Sequence, residues 1–217
     1  MNFLAVNTAG ESVEVALKVG DKEYFAFDSE YKKASEVLLP LIDEVLSRAG
    51  AELADMDFFA CCIGPGSFTG IRIGLSTIRA VCQSLGKPAV AVTDLLELSY
   101  NETRLQKTIA LSDAGNGYTY AAVYDEKRGE VVSPTCIAAQ CVQDFLNTQK
   151  KPYSVCCDAL SAKLCPNACL RKIGGNALIK AVEHELSEAG TKDYKLLEPL
   201  YVRKSQAEQQ LEESGNK

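Results

Sequence analysis

One histidine, His184, is all that 217 residues contain. A histidine-based metal centre or a Ser-His-Asp triad therefore has almost nothing to be built from. His184 itself lies between Glu183 and Glu185 in a late helical stretch and reads as a solvated surface residue. Long apolar runs are also missing: none approaches the roughly 20 residues that a bilayer span requires. The opening Met1-Asn2-Phe3-Leu4-Ala5-Val6-Asn7 has neither the basic region nor the long apolar segment of an export signal, so a cytoplasmic protein with no membrane contact is expected. Basic charge is scarce as well, with 23 Lys and Arg against 29 Asp and Glu, a net charge of -6. Residues 1–105 carry the whole deficit, with 9 basic and 15 acidic residues, while the remainder holds 14 of each. Such a chain is not equipped to hold a polyanionic nucleic-acid backbone unaided.

Cysteine is plentiful, but a disulfide framework is not indicated. Nine cysteines, an odd number, without an export signal point to reduced thiols. Cys61-Cys62 and Cys156-Cys157 sit in apolar runs, where cysteine behaves as a small hydrophobe. Cys165 and Cys169 have a spacing that a metal could use, yet a closed zinc site needs four ligands and no second pair stands at matching spacing.

The remaining composition, 47% hydrophobic and 24% charged, suits one large or two small globular units. The most informative stretch is Gly64-Pro65-Gly66-Ser67-Phe68-Thr69-Gly70-Ile71-Arg72-Ile73-Gly74. Before it, Phe58 to Ile63 is a six-residue apolar run that predicts a buried strand. After it, Ile71, Leu75, Ile78, Cys82 and Leu85 fall on one helical stripe, stopped by Gly86-Lys87-Pro88. A glycine-rich loop at a helix N-terminus can attract anions, with Ser67 or Thr69 capping the first amides. The ending of a Walker A loop is absent and the spacing is not the dinucleotide fingerprint. On residue types alone a plain strand-to-helix turn outweighs phosphate binding by Gly64, Gly66, Ser67, Thr69 and Gly70.

Along the chain, strands are expected at Phe3–Val6, Val13–Val19 and Tyr24–Phe27, the last two joined by a Gly20-Asp21 turn. A helix from Ala34 to Ala49 follows, with Pro40 about one turn in and Gly50 at its end. Ala89–Val92 reads as a strand and Asp94 as the cap of a brief helix. The second half repeats this grammar. Strands are expected at Thr108–Leu111, Tyr118–Tyr124 and Glu130–Val132, then a helix Ala138–Leu146, a strand Tyr153–Cys157 and a helix Ala177–Leu186. Two units of three antiparallel strands, each followed by alternating helices and strands, suggest an internal duplication of fold.

The string from Gly64 through Leu75 resembles the signature of the TsaB (YeaZ) family, the non-catalytic subunits of the bacterial machinery that makes threonylcarbamoyladenosine in tRNA. Leu197-Glu198-Pro199-Leu200-Tyr201-Val202-Arg203-Lys204 resembles the closing Pro-x-Tyr-x-Arg segment of that family. The resemblance implies an α/β protein of the actin-like, sugar-kinase-like (ASKHA) architecture, with two ribonuclease-H-like lobes at residues 1–105 and 106–204 and a polar, flexible tail at 205–217. It also implies docking on a TsaD homologue, a ternary complex with a TsaE homologue, self-association as a homodimer, and contact with tRNA only through the complex. In the family, the first long helix and the helix after the glycine-rich loop form the pairing face. Carried over, that face draws on Val37, Leu38, Leu41, Ile71, Leu75, Ile78 and Cys82, although the same seam could be core. Small residues at Gly70, Gly74, Thr77 and Ala80 would let another helix approach.

Several positions depart from active relatives. Actin-like ATPases place a carboxylate at the end of the first strand for a metal-bound nucleotide; here it is Asn7. The two histidines of the TsaD metal motif align with Asp94 and Leu98. The Asp-Ala-Arg pattern is replaced by Asp113-Ala114-Gly115-Asn116-Gly117. The expectation is thus a scaffold or activator subunit with no cofactor of its own, ATP and metal belonging to its partners. The alternative is a vestigial actin-like ATPase or a glycoprotease-type peptidase.

Overall fold

The computed structural model describes residues 1–29, 33–104 and 106–203. Lys204 and the polar stretch expected as a tail lie outside the described residues. Among the described residues, the strands form two five-stranded sheets. In the first, β1 (Asn2–Asn7), β2 (Val13–Val19) and β3 (Lys22–Asp28) make an antiparallel meander. Next to β1, β4 (Phe58–Cys62) and β5 (Ala89–Val92) run parallel to it, giving the order β3-β2-β1-β4-β5.

The second sheet repeats the plan. β6 (Thr108–Gly115), β7 (Tyr118–Tyr124) and β8 (Glu130–Ala138) form the meander. β9 (Ser154–Cys157) and the two-residue β10 (Cys169–Leu170) then add in parallel, so the order is β10-β9-β6-β7-β8. This is the duplicated, two-lobed ribonuclease-H-like architecture expected of an actin-like fold.

Because successive strand residues face opposite ways, each sheet can be packed on both sides. Leu4, Val6, Val15 and Leu17 face α1 (Ala34–Ala49) and α2 (Phe68–Leu85), which contribute Leu38, Ile42, Val45, Ile71, Leu75, Ile78 and Cys82 to a common core. Phe3, Ala5, Ala60 and Val90 face the other way, with Phe3 stacked on Phe58 at 5.0 Å. There they meet α3 (Asp94–Ser99) and α5 (Ala177–Ala189), which fill the space between the sheets. Ala110, Ala122 and Cys156 close this layer from the second sheet. On the far side of that sheet, α4 (Val142–Thr148) packs over Ile109, Leu111, Val123 and Cys157. The middle helices cross over: α3 follows the first sheet yet packs on β6, β7 and β9, and α5 follows the second yet packs on β1, β2 and β5.

Local expectations need three corrections. β8 runs on to Ala138 where a helix start was expected, and Pro134 within it is tolerated because β8 is an edge strand. The helix there begins only after a short turn at Ala139–Cys141. Thr93, rather than Asp94, caps α3, its hydroxyl accepting the Leu96 amide at 3.2 Å.

Candidate functional site

The signature loop enters α2 through a cis Gly64-Pro65 peptide, and Ser67 caps the helix by accepting the Gly70 amide at 3.1 Å. Its glycines answer to a close approach. A Cβ at Gly66 would lie 2.1 Å from the Ala9 carbonyl oxygen, and one at Gly70 would lie 1.9 Å from that of Thr8. The two segments are bonded as well as touching: the Ser67 amide donates to the Ala9 carbonyl at 2.8 Å, and the Thr8 hydroxyl donates to the Gly70 carbonyl at 2.7 Å. Two loop amides that an anion could have used, those of Ser67 and Gly70, are therefore taken by protein oxygens.

The five loop residues do not line one cradle. Gly64 is buried beneath the Leu200 carbonyl and Ile71. Gly66 and Ser67 border a cleft of about 200 Å³ between the lobes, whose other walls include Glu11, Asp94, Asp113, Asp158 and Arg171. Ser67, Thr69 and Gly70 border a different hollow of about 270 Å³, where the start of α1 (Lys33, Ala34, Ser35) meets the start of α2. An interlobe cleft carrying four carboxylates and one guanidinium repels a bare phosphate.

Behind that cleft lies a buried polar knot. The Asn7 side-chain amide donates to Asp94 at 3.0 Å and to Glu97 at 2.7 Å, while its oxygen accepts the Ala9 amide at 2.8 Å. Arg171 grips the Asp94 carboxylate with two parallel bonds of 2.9 and 2.7 Å. Glu14 joins from β2, accepting from the Ser12 hydroxyl at 3.1 Å and the Gly174 amide at 2.9 Å. Asn7, Glu14, Asp94 and Glu97 are each less than 5% exposed. Burial, reinforced by the neighbouring Glu14 and Asp94 charges and only partly offset by Arg171, pushes the Glu97 carboxyl well above the usual carboxylate range. Burial also raises Glu14, against the pull of the Gly174 amide and Arg171. Asn7 is the residue type this position needs: its NH₂ supplies both donors, whereas an ionised aspartate would face two more carboxylates.

Sequence reading singled out Asn7 and Asp94 but missed Glu14, Glu97 and Arg171. A signal existed for Glu97, since Asp94 and Glu97 are the only charges within the apolar Leu95-Leu96-Leu98 helix. None existed for Arg171, which lies 77 positions from its partner.

The expected pairing-face residues are placed differently. Leu38, Leu41, Ile71, Leu75, Ile78 and Cys82 are buried in the chain's own core, and Val37 is half-buried against it. A stripe this apolar faces its own sheet first. Gly70 and Gly74 likewise face Thr8 rather than an incoming helix. The outward sides of α1 and α2 instead carry Leu39, which is 59% exposed, with Pro40, Arg72, Ser76, Ala80 and Gln83. His184 is half-buried, edge-on to the Tyr100 ring at 6.3 Å, and is not the free surface residue expected.

The closing segment spans both lobes. Its Leu200 amide donates to the Ile63 carbonyl at 2.8 Å, and Arg79 of α2 bonds the Leu197 carbonyl. Tyr201 stacks on Phe68 at 4.4 Å and accepts from Arg72 at 2.9 Å. Two residues on, Arg203 donates to the Ala114 and Gly115 carbonyls at 2.9 and 3.0 Å and covers the Tyr118 ring. The altered Asp113–Gly117 segment is thus the end of β6 with its turn into β7, and its β6 carbonyls receive Arg203.

Residues 30–154 match the family model described as TsaD: tRNA N6-adenosine threonylcarbamoyltransferase. The tRNA threonylcarbamoyladenosine biosynthesis protein TsaB of Escherichia coli (strain K12) is 30% identical over 127 residues, 57% of this chain and 55% of that protein. The chain belongs to the family of this TsaD model and is similar to the TsaB (YeaZ) proteins. TsaB of Bacillus subtilis (strain 168) is 29% identical over 131 residues, 59% of this chain and 57% of that protein. The matched region spans little more than half the length of these TsaB relatives. The solved structure of YeaZ from Pseudomonas aeruginosa shares the fold, with a TM-score of 0.78 at 20% identity over 92% of this chain and 99% of that one. Within the TsaB frame, the glycine-rich string is a packing signature between α2 and the β1–β2 turn, and the Pro-x-Tyr-x-Arg string is a clasp between lobes.

Proposed function

We propose that this protein is a non-catalytic subunit for threonylcarbamoyladenosine formation in tRNA, docking on a TsaD homologue and acting with a TsaE homologue. The observation that carries the reading is the Asn7–Asp94–Arg171 knot. At the strand end where an actin-like enzyme needs free carboxylates for a metal-bound nucleotide, this chain places Asn7 and engages Asp94 with the Asn7 amide and the Arg171 guanidinium. ATP, metal and transfer chemistry then fall to the partners, and tRNA is met only through the complex, in line with the net charge of -6. The partner surface, shared with a second copy when the protein self-associates, is the outward side of α1 and α2 around Leu39. A vestigial ATPase or a peptidase receives no comparable support.

The test is a reconstituted modification assay with the purified TsaD and TsaE homologues, with and without this protein. Full rate in its absence sinks the proposal. Light scattering of the binary mixture should give a species at the summed mass, weakened by Leu39→Glu. Unchanged assembly with that variant would move the interface elsewhere.

A further inference from the structure

The frequency of cysteine finds no use in the reading above, yet four of the nine thiols gather where β9 and β10 meet. Cys156 and Cys169 are direct cross-strand partners in the parallel β9–β10 register, so their side chains leave the same face of the sheet. Their sulfurs point toward the same segment: Cys169 Sγ lies 3.3 Å from the Asn101 carbonyl oxygen and Cys156 Sγ lies 4.0 Å from that of Ser99. Burial, with Cys169 as a close neighbour, raises the Cys156 thiol above its ordinary range. Cys157 faces the opposite side, into the core with Cys165. All nine cysteines are free thiols.

Access differs within the pair. Cys156 is fully buried, whereas Cys169 is half-buried and borders an open hollow of about 650 Å³ together with Arg104, Gln143, Lys151 and Cys165. An oxidant can therefore reach Cys169 first. Adjacent strands hold their Cα atoms about 4.8 Å apart, inside the range of roughly 4.4–6.8 Å that disulfides span. The bond needs Cβ atoms near 3.8 Å, and β10, an edge strand with β9 as its partner, can tilt to supply that.

We propose that Cys156 and Cys169 form a reversible disulfide, a modification site for hydroperoxides. The Cys169 sulfur attacks the peroxide O–O bond, becoming a sulfenic acid and releasing water or an alcohol. The Cys156 sulfur then attacks the sulfenic sulfur, forming the S–S bond and expelling the hydroxyl, which takes up the Cys156 proton and leaves as water. Two thiols are oxidised and one peroxide is reduced; a dithiol reverses the change. The bond would tie β9 to β10 immediately before Arg171, whose amide already donates to the Cys157 carbonyl at 2.9 Å and whose guanidinium holds Asp94. Oxidation thus stiffens the strand that anchors the interlobe knot.

The experiment treats the full chain with hydrogen peroxide, quenches it, alkylates it and measures intact and peptide masses. The expected product is lighter by two hydrogen atoms, lacks two alkylatable thiols and yields a peptide cross-linked through Cys156 and Cys169. Dithiothreitol restores the starting mass. Cys169→Ser abolishes the cross-link and Cys165→Ser leaves it in place, and amides of residues 169–174 exchange more slowly in the oxidised protein. A Cys165–Cys169 cross-link, or Cys169 advancing to sulfinic acid with Cys156 still alkylatable after unfolding, overturns the assignment. The Cys169→Ser change is at a half-buried position, and its unfolding midpoint confirms a folded variant.

Discussion

Gly70→Ala is the sharpest probe of why the signature loop is built from glycine. The new Cβ would sit 1.9 Å from the Thr8 carbonyl oxygen, where a carbon–oxygen contact normally stays near 3.3 Å. The two backbones would have to part by about 1.4 Å, since neither is the end of a flexible side chain. That displacement breaks the Thr8–Gly70 bond of 2.7 Å and the Ser67–Ala9 bond of 2.8 Å. Each lost bond costs about 1 kcal/mol, and forced overpacking adds about 1–3 kcal/mol. The helix gains back at most about 1 kcal/mol from replacing glycine by alanine. A net loss of roughly 2–4 kcal/mol is expected, large against the roughly 5–15 kcal/mol that holds a domain together. With a urea slope of about 2 kcal/mol/M, the unfolding midpoint should drop by about 1–2 M.

Two companions calibrate that measurement. At Gly74 the nearest atom to an added Cβ is the Thr8 hydroxyl oxygen, at 2.4 Å, and a hydroxyl can rotate away, so Gly74→Ala should cost less. Gly86 has a positive φ of 65° and open space around it, so Gly86→Ala should cost about 1 kcal/mol from conformation alone. The expected order is Gly70, then Gly74, then Gly86. A Gly70→Ala protein as stable as Gly86→Ala would refute the packing argument and return the glycine to a ligand-approach role.

Two further outcomes follow from the knot and the clasp. Burial and its acidic neighbours raise the folded-state pKa of Glu97 above 4.5, so the fold favours its neutral form more than the unfolded chain does. The stability it contributes is complete below pH 4.5 and is lost as pH rises through the folded value. Glu97→Gln, which keeps an oxygen for the Asn7 amide, should therefore show a flatter decline in urea midpoint toward pH 8 than the parent and exceed it there; parallel curves would sink this assignment. The groups facing it are Asn7, Glu14, Asp94 and Arg171, so the slope that Glu14 contributes should persist. Tyr201→Ala removes both the Phe68 stack and the Arg72 bond and should lower stability by about 1–2 kcal/mol, whereas Tyr201→Phe keeps the stack and should lose less than about 1 kcal/mol. Equal losses in the two variants would mean that the ring contact does not hold the clasp.

Much of this protein is written locally. β1 to β7 and β9, α1 with Gly50 at its end, and α2 with its Ser67 cap follow from alternation, helical spacing and turn residues, all of which act within a few positions along the chain, whereas the two-residue β10 and the full length of β8 do not. The duplicated meander plan could be read for the same reason, as could the glycine-rich string as a strand-to-helix junction. Tertiary structure decided the rest. An amphipathic stripe states that Ile71, Leu75 and Ile78 seek apolar cover, but only the sheet beneath α2 makes that cover the chain's own core and turns Leu39 outward. Asn7, Asp94 and Arg171 come from three distant points, and their charges meet because α3 and β10 converge at the end of β1. The parallel pairing of β10 with β9 sets Cys169 beside Cys156. Ion pairing and thiol contact are short-ranged, so neither has a sequence period from which it could have been read.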